Sequence, residues 1–325
     1  MKTALGFIPV ILCAALACAA NVTLAQGFPN KPVRIVVPFP PGAATDNLAR
    51  LLGQKLGEAW GQSVVIDNKP GAGSIVGAQN VASSPADGYS VFMGHIGTHG
   101  ANPALYAKLP YDPVKDFAPV TSLVSIPNVL VVHPSVAVNS VTELIALAKA
   151  QPGKLNVGSP GISTSAHLII SLFRSVTGAE MTHIPFKGAA AATQAIVTGE
   201  VQVAFDTVTT LMPQARSGKV KVLAITSKDR SAAAPEVVPL AEAGVPGFDV
   251  STWFAFFVPA GTPRTVIDKL NADIVRTMQS KDVADRLATM GMTNTAGTPE
   301  QLAAHVNSEI ARWGKVVKEA NIKIE

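Results

Sequence analysis

Between residues 33 and 94, short branched runs alternate with helical periods, and this alternation constrains the fold more than any single motif. Residues 33–37, Val-Arg-Ile-Val-Val, read as a buried strand. Residues 45–60 place Leu48, Leu51, Leu52, Leu56 and Trp60 at helical spacing. A strand over 63–67, a helix over 74–82 and a strand over 89–94 complete a βαβαβ pattern. Such a pattern implies a parallel sheet with helices on its faces.

Pro103, Pro110, Pro113, Pro119, Pro127 and Pro134 then exclude long helices. Residues 129–132 are an apolar run, after which the alternation restarts. Helices are expected over 141–150, 163–177 and 189–198, with strands over 155–158, 181–185, 201–205 and 220–226. Residues 248–258, with Trp253, Phe254, Phe256 and Phe257, read as an extended crossing segment. Three helices follow, over 263–279, 282–290 and 299–320. The last spaces Leu302, Val306, Ile310, Trp313 and Val317 for one buried face. Packed back on the first unit, these helices give an α/β chain of two doubly wound parallel-sheet lobes. Lobe 1 is residues 26–125 plus 250–325 and lobe 2 is 126–249. Crossing segments near 120–133 and 248–258 form the hinge between the lobes. The cleft between such lobes lies at the carboxyl ends of the strands, where α/β sheets bind ligands.

The first 25 residues are set apart. Lys2 is a short positive region, residues 7–16 are an apolar stretch of signal-peptide length, and Thr23-Leu24-Ala25 offers small residues for cleavage after Ala25. A membrane anchor is disfavoured because the run is short and Pro9 interrupts it. Lipidation at Cys18 is a second alternative, although Ala15 stands where a leucine is usual. Cys13 and Cys18 both precede the expected cut. The exported chain would therefore use no disulfide, thiol nucleophile or cysteine metal site. The net charge of +4 becomes +3 without Lys2, and no basic cluster gives nucleic acid a surface to follow.

Each expected strand ends in a loop of small residues: 39–46, 68–74, 94–100, 158–165 and the shorter 205–207. Glycine lets backbone approach a ligand closely, and free N–H groups at a following helix N-terminus bind anions. Several such termini could hold a carboxylate without arginine. These loops supply the candidate binding residues Phe39, Gly42, Ala43, Ala44, Thr45, Asp46, Gly73, Ser74, His95, Thr98, Ser159, Gly161, Ser163, Thr164 and Asp206, with His167 and Lys187 beside them. The alternative is ordinary βα turns, with Thr45, Ser74 and Ser163 as helix caps. Asp46 and Asp206 could orient their loops by accepting backbone N–H bonds, and Asp206 could instead meet a ligand amine. Lys187 could meet a carboxylate in the cleft, or be simply solvated.

Catalytic readings find less support. Gly71-Ala72-Gly73 with Gly77 misses the dinucleotide spacing by one residue, and neither a Walker A pattern nor G-x-S-x-G occurs. His95 and His99 are spaced for a metal on a helix, but Gly94, Gly97 and Gly100 argue against a helix there. Neither cofactor nor metal is expected. His167 suits packing or loop bracing better than general-base work.

Five segments together resemble one family. They are residues 29–42 with Asp46 and Arg50, residues 65–73, Ala86-Asp87-Gly88-Tyr89, Ile184-Pro185-Phe186-Lys187-Gly188, and Trp253 through Val258-Pro259-Ala260-Gly261-Thr262-Pro263. In this order, and with the C-terminal helices through Arg312-Trp313, they are similar to the substrate-binding proteins of tripartite tricarboxylate transporters, the TctC or Bug family. The resemblance spans nearly all of residues 28–325. It implies a periplasmic-binding-protein-like "Venus flytrap" fold and a periplasmic, non-enzymatic, monomeric receptor that closes on a small organic carboxylate and delivers it to a membrane permease of one large and one small subunit. It implies that backbone amides, hydroxyls and bridging waters hold the carboxylate. Those groups would come from Phe39, Gly42, Ala43, Ala44, Thr45 and Asp46 on one lobe, and from Ser159, Gly161, Ser163, Thr164 and Asp206 on the other. Ala43 stands where many relatives have a second glycine, so its φ is expected to stay negative. His95 and His99 are the expected specificity positions. A sensor docking on a regulatory partner, or an exported hydrolase or lyase using His167 or Asp206, is the alternative.

Overall fold

The computed structural model describes residues 27–319 and 322. The expected signal peptide, its cut after Ala25, Cys13, Cys18 and Ala320 lie outside those residues. The first unit is β1 (Val33–Val37), α1 (Ala44–Trp60), β2 (Val64–Asn68), α2 (Ile75–Ala82) and β3 (Ser90–His95). A π-helical turn, Gly97–Ala101, leads into α3 (Asn102–Leu105) and the long β4 (Phe117–Val132). The second unit is α4 (Val141–Ala150), β5 (Asn156–Ser159), α5 (Ser165–Thr177), β6 (Thr182–Pro185), α6 (Ala189–Thr198), β7 (Val203–Thr207), α7 (Val208–Arg216) and β8 (Lys221–Ile225). The chain ends with β9 (Ser251–Pro259), α8 (Arg264–Gln279), α9 (Lys281–Thr289), β10 (Thr293–Asn294) and α10 (Pro299–Glu319).

The α/β, two-lobed expectation holds, but the sheets are mixed rather than parallel throughout. The strand order is β2-β1-β3-β9-β4-β7-β5-β6, with β8 and β10 also paired to β4. Parallel triplets, β2-β1-β3 and β7-β5-β6, flank an antiparallel pair, β9 and β4. The crossing segments are therefore paired strands of the sheet, β4 and β9. β4 pairs with β9 as far as Pro127 and takes up β7 at Asn128, with no unpaired residue between. Pro119 is tolerated because it sits where the β4–β9 register shifts, where a missing N–H costs little.

The core divides by sheet face. In β9, Trp253, Ala255 and Phe257 join one apolar cluster, and Phe254, Phe256 and Val258 join the other. Leu130 and Val132 of β4 lie with the first cluster, Val129 and Val131 with the second. Both clusters run through both lobes, as expected when a strand is covered on each face. Each fully buried Phe or Leu side chain contributes roughly 1.5–3 kcal/mol. α10 seals one face with Trp313, which is fully buried.

Two local expectations are corrected. The glycines of 94–100 do not prevent helix; they permit close approach. A Cβ on Gly97 would run into the Ser163 carbonyl, and one on Gly100 would lie 3.2 Å from Trp313 Cδ1. The helix α7 also escaped notice because Pro213 lies inside it. Among the described residues, no helix is long and apolar enough to cross a membrane.

Candidate functional site

β1 runs into the loop of Phe39 and Gly42, whose φ of +86° suits only glycine. Ala43 then takes φ −69° and ψ 161°, in the ordinary region as expected. Asp46, 2% exposed, shapes this loop from behind. Its Oδ2 accepts the Gly42 N–H at 2.9 Å and Arg50 Nε at 2.9 Å, while Oδ1 accepts Asn68 Nδ2 at 2.9 Å. Burial alone would raise the Asp46 pKa, but bonds from Arg50, Gly42 and Asn68 together hold it below the usual carboxylate value. Asp46 orients the loop, as one reading expected, and does not line the cleft.

The expected caps do not cap. Ala43 occupies the α1 N-cap, with Thr45 already inside the helix, so no side chain closes that end. Gly188 at α6 and Thr207 at α7 likewise provide no side-chain cap bond. Of the helices that begin at the cleft, α5 is the one a hydroxyl caps, with Thr164 Oγ1 accepting the His167 N–H at 3.3 Å. These four N-termini share one cleft of about 160 Å³: Ala43, Ala44 and Thr45 for α1, Thr164 and Ser165 for α5, Gly188, Ala189 and Ala190 for α6, and Thr207 and Thr210 for α7. Phe39, Pro40, Pro41 and Gly42 form one wall, Pro160 and Lys187 stand opposite, and Thr252 and Phe254 come from β9. Free N–H groups and aligned dipoles make such termini anion sites. No arginine lines the cleft.

Two buried side chains add polarity. His95 Nδ1 accepts the Gly97 N–H at 3.0 Å, so the ring proton sits on Nε2. Burial pushes the His95 pKa down to about 3, keeping the ring neutral. Among the described residues its Nε2 has no partner, and the ring packs 4.9 Å from that of Phe39. Asp206 Oδ1 accepts the Thr207 N–H at 2.7 Å, while Oδ2 has no partner among the described residues. Burial pushes the Asp206 pKa up to about 7.

The family model described as "Tripartite tricarboxylate transporter family receptor" matches residues 48–322. The chain belongs to this receptor family. It is 37% identical to Protein BugT of Bordetella pertussis over 316 residues, 97% of each chain. It is similar to the R. palustris protein Rpa4515, solved with adipate, at TM-score 0.87 and 37% identity, covering 91% of this chain and 99% of that one. It is also similar to MatC of Rhodopseudomonas palustris, solved with bound malate, at TM-score 0.84 and 36% identity, covering 89% and 100%.

In this receptor, the other candidates support the cleft from outside it. Ser159 Oγ contacts His183 Nε2 at 2.7 Å, and the Gly161 N–H donates to Ser159 Oγ at 3.2 Å. The Gly161 carbonyl accepts Thr164 Oγ1 at 2.7 Å. Ser163, at φ +60°, donates its N–H to His167 Nδ1 at 3.2 Å and brings Oγ within 3.2 Å of Tyr106 Oη. His167 is thus a loop brace, stacked on His183 with 4.8 Å between ring centroids. A Cβ on Gly73 would meet Ser163 Oγ at 2.8 Å, so the second and fourth loops pack on each other at these two residues, which do not line the cleft. Ser74 stands at the N-cap of α2, but its hydroxyl turns to the Pro38 carbonyl at 3.4 Å. Thr98 Oγ1 accepts the His95 N–H at 3.0 Å. Of the two expected specificity positions, His95 lines the cleft, whereas His99 stacks on Phe257 at 3.8 Å inside the core.

Residues 188–190 and Thr207, Thr210, Thr252 and Phe254 were not anticipated as lining. The run Lys187-Gly188-Ala189-Ala190 at a strand end carried the same small-residue signal as the other loops. Thr252 and Phe254 carried none, because a crossing strand alternates faces without announcing which one meets a cleft. Among the described residues, no cluster of three or more His, Cys, Asp or Glu is arranged to hold a metal ion.

Proposed function

We propose that this receptor captures a small organic carboxylate in the periplasm, by closing residues 26–125 plus 250–325 on residues 126–249. It then presents the ligand, unchanged, to a membrane permease of one large and one small subunit. The exported form begins at Gln26 and acts as a monomer. The observation that carries the reading is the convergence of four helix N-termini, three without a side-chain cap, on one cleft without arginine. Backbone N–H groups of Ala44, Thr45, Ser165, Ala189 and Ala190, with the hydroxyl of Ser165, would hold the carboxylate. The adipate and malate held by the two R. palustris relatives support this ligand class.

A thermal-shift screen of residues 26–325 against aliphatic and aromatic carboxylates tests it, followed by calorimetry on each hit. Binding to the native state at 100 times Kd adds about 2.7 kcal/mol to stability and must raise the midpoint. Saturable one-to-one binding without turnover is expected. If no carboxylate shifts the midpoint and the denatured protein releases no small molecule, the reading fails.

A further inference from the structure

Two unpartnered side-chain atoms of opposite polarity belong to residues lining the cleft: the Nε2–H donor of His95 and the Oδ2 acceptor of Asp206. We infer that the ligand is a carboxylate that also carries a hydrogen-bond donor, an ammonium or hydroxyl group, which Asp206 recognises. This deepens the receptor reading and rests on it.

The argument starts from what Asp206 lacks. It is 8% exposed, and among the described residues its only side-chain hydrogen bond is the one from the Thr207 N–H. No lysine, arginine or histidine forms an ion pair with it among the described residues. The neighbouring hydroxyls of Thr207 and Thr210 bond to each other at 2.9 Å. A buried carboxylate oxygen without a partner is costly unless something else supplies a donor. A ligand N–H or O–H supplies it directly. A second ligand carboxylate placed there would meet a like charge, or would require Asp206 to hold a proton. The His95 tautomer is fixed by the Gly97 N–H, so its ring, which lines the same cleft, offers a donor suited to a carboxylate. The cleft therefore offers one unpaired donor and one unpaired acceptor, and the ligand that matches both is asymmetric. A symmetric dianion would satisfy Asp206 only at the cost of a proton held there.

Calorimetry of residues 26–325 with two matched series tests the inference: succinate, malate and aspartate, then butyrate, 4-hydroxybutyrate and 4-aminobutyrate, with adipate as a plain dicarboxylate. In at least one series the hydroxyl or ammonium member is expected to bind ten-fold or more tightly than its parent. Asp206→Asn is expected to erase that preference without lowering the thermal midpoint of the free protein, since it removes a buried charge. Parent acids or adipate binding as tightly as the donor-bearing members would overturn the inference and leave the receptor reading intact. A preference that persists unchanged in a folded Asp206→Asn protein would also overturn it. Absence of binding by every member would overturn the inference, and the receptor reading would then rest on the wider thermal-shift screen and on any small molecule released by denaturation.

Discussion

The Gly42 N–H donates to Asp46 Oδ2 at 2.9 Å, tying the loop after β1 to the first turn of the helix that follows it. The same carboxylate holds Arg50 and Asn68, so one buried side chain fixes loop, helix and neighbouring strand end. Asp46→Ala leaves the Gly42 N–H without its acceptor and takes one of two from the Asn68 amide, which keeps the Phe39 carbonyl at 3.0 Å. A loss of roughly 1–3 kcal/mol is expected, measured by urea denaturation. Arg50→Ala removes a much more exposed partner, 54% accessible, and is expected to cost under about 1 kcal/mol. Equal losses in the two variants would contradict this account of the loop.

Gly42→Val tests the loop itself. No atom lies within 4 Å of a Cβ built there, so the fold has room for the side chain. The strain comes from φ +86° and amounts to roughly 1–2 kcal/mol. The protein is expected to remain folded by circular dichroism and to lose carboxylate binding by calorimetry. Unaltered affinity would remove this loop from the site.

Glu309 should anchor the terminal helix. Its Oε2 accepts Trp253 Nε1 at 2.9 Å and Trp313 Nε1 at 3.1 Å, joining β9 to α10. Glu309→Ala strands two buried indole donors, at roughly 1–3 kcal/mol each. The expected readouts are a lower urea midpoint and red-shifted tryptophan emission in the native state.

Acid should weaken the fold through histidine. Burial holds His95 at about 3, His167 at about 4 and His183 at about 3, and His99 well below its ordinary value. Repulsion from Arg174 adds to the shift at His167, and His167 and Arg174 add to it at His183. All four folded-state values lie below ~6.5, the unfolded value, so the unfolded chain binds the extra protons first. Their contribution is complete above ~6.5 and declines toward acid by up to ~1.4 kcal/mol per pH unit for each histidine. Asp206, raised to about 7, acts in the opposite sense between ~4 and 7 and offsets one of them. The thermal midpoint is therefore expected to fall steadily from pH 7 to pH 4.5. A flat or rising midpoint would show that these rings are not buried neutral.

Strands made of branched residues were legible because burial on both faces demands an unbroken apolar run. β1 and the helices α4 and α6 stand at their expected bounds. The full length of β4 was hidden by Pro119 and Pro127, which read as breaks. In the sheet, the first sits at a register shift and the second opposite Ser251, the first residue of β9. Loop composition pointed to the cleft, since glycine and small residues at strand ends mark close approach. It could not say what approaches: Phe39 and Gly42 meet the cleft, whereas Gly73, Gly97 and Ser163 meet one another. That distinction depends on how the two lobes face, a relationship between residues far apart in the chain.

The passage of β4 from one partner to another between Pro127 and Asn128 has a mechanical meaning. A loop joint swivels freely, but a strand hydrogen-bonded on both sides of the switch must twist. In the closure proposed above, a change in the angle between the lobes would load this strand like a torsion bar. Such a joint would set a restoring torque, and a narrow, centred distribution of lobe angles is expected, with ligand contacts working against a spring.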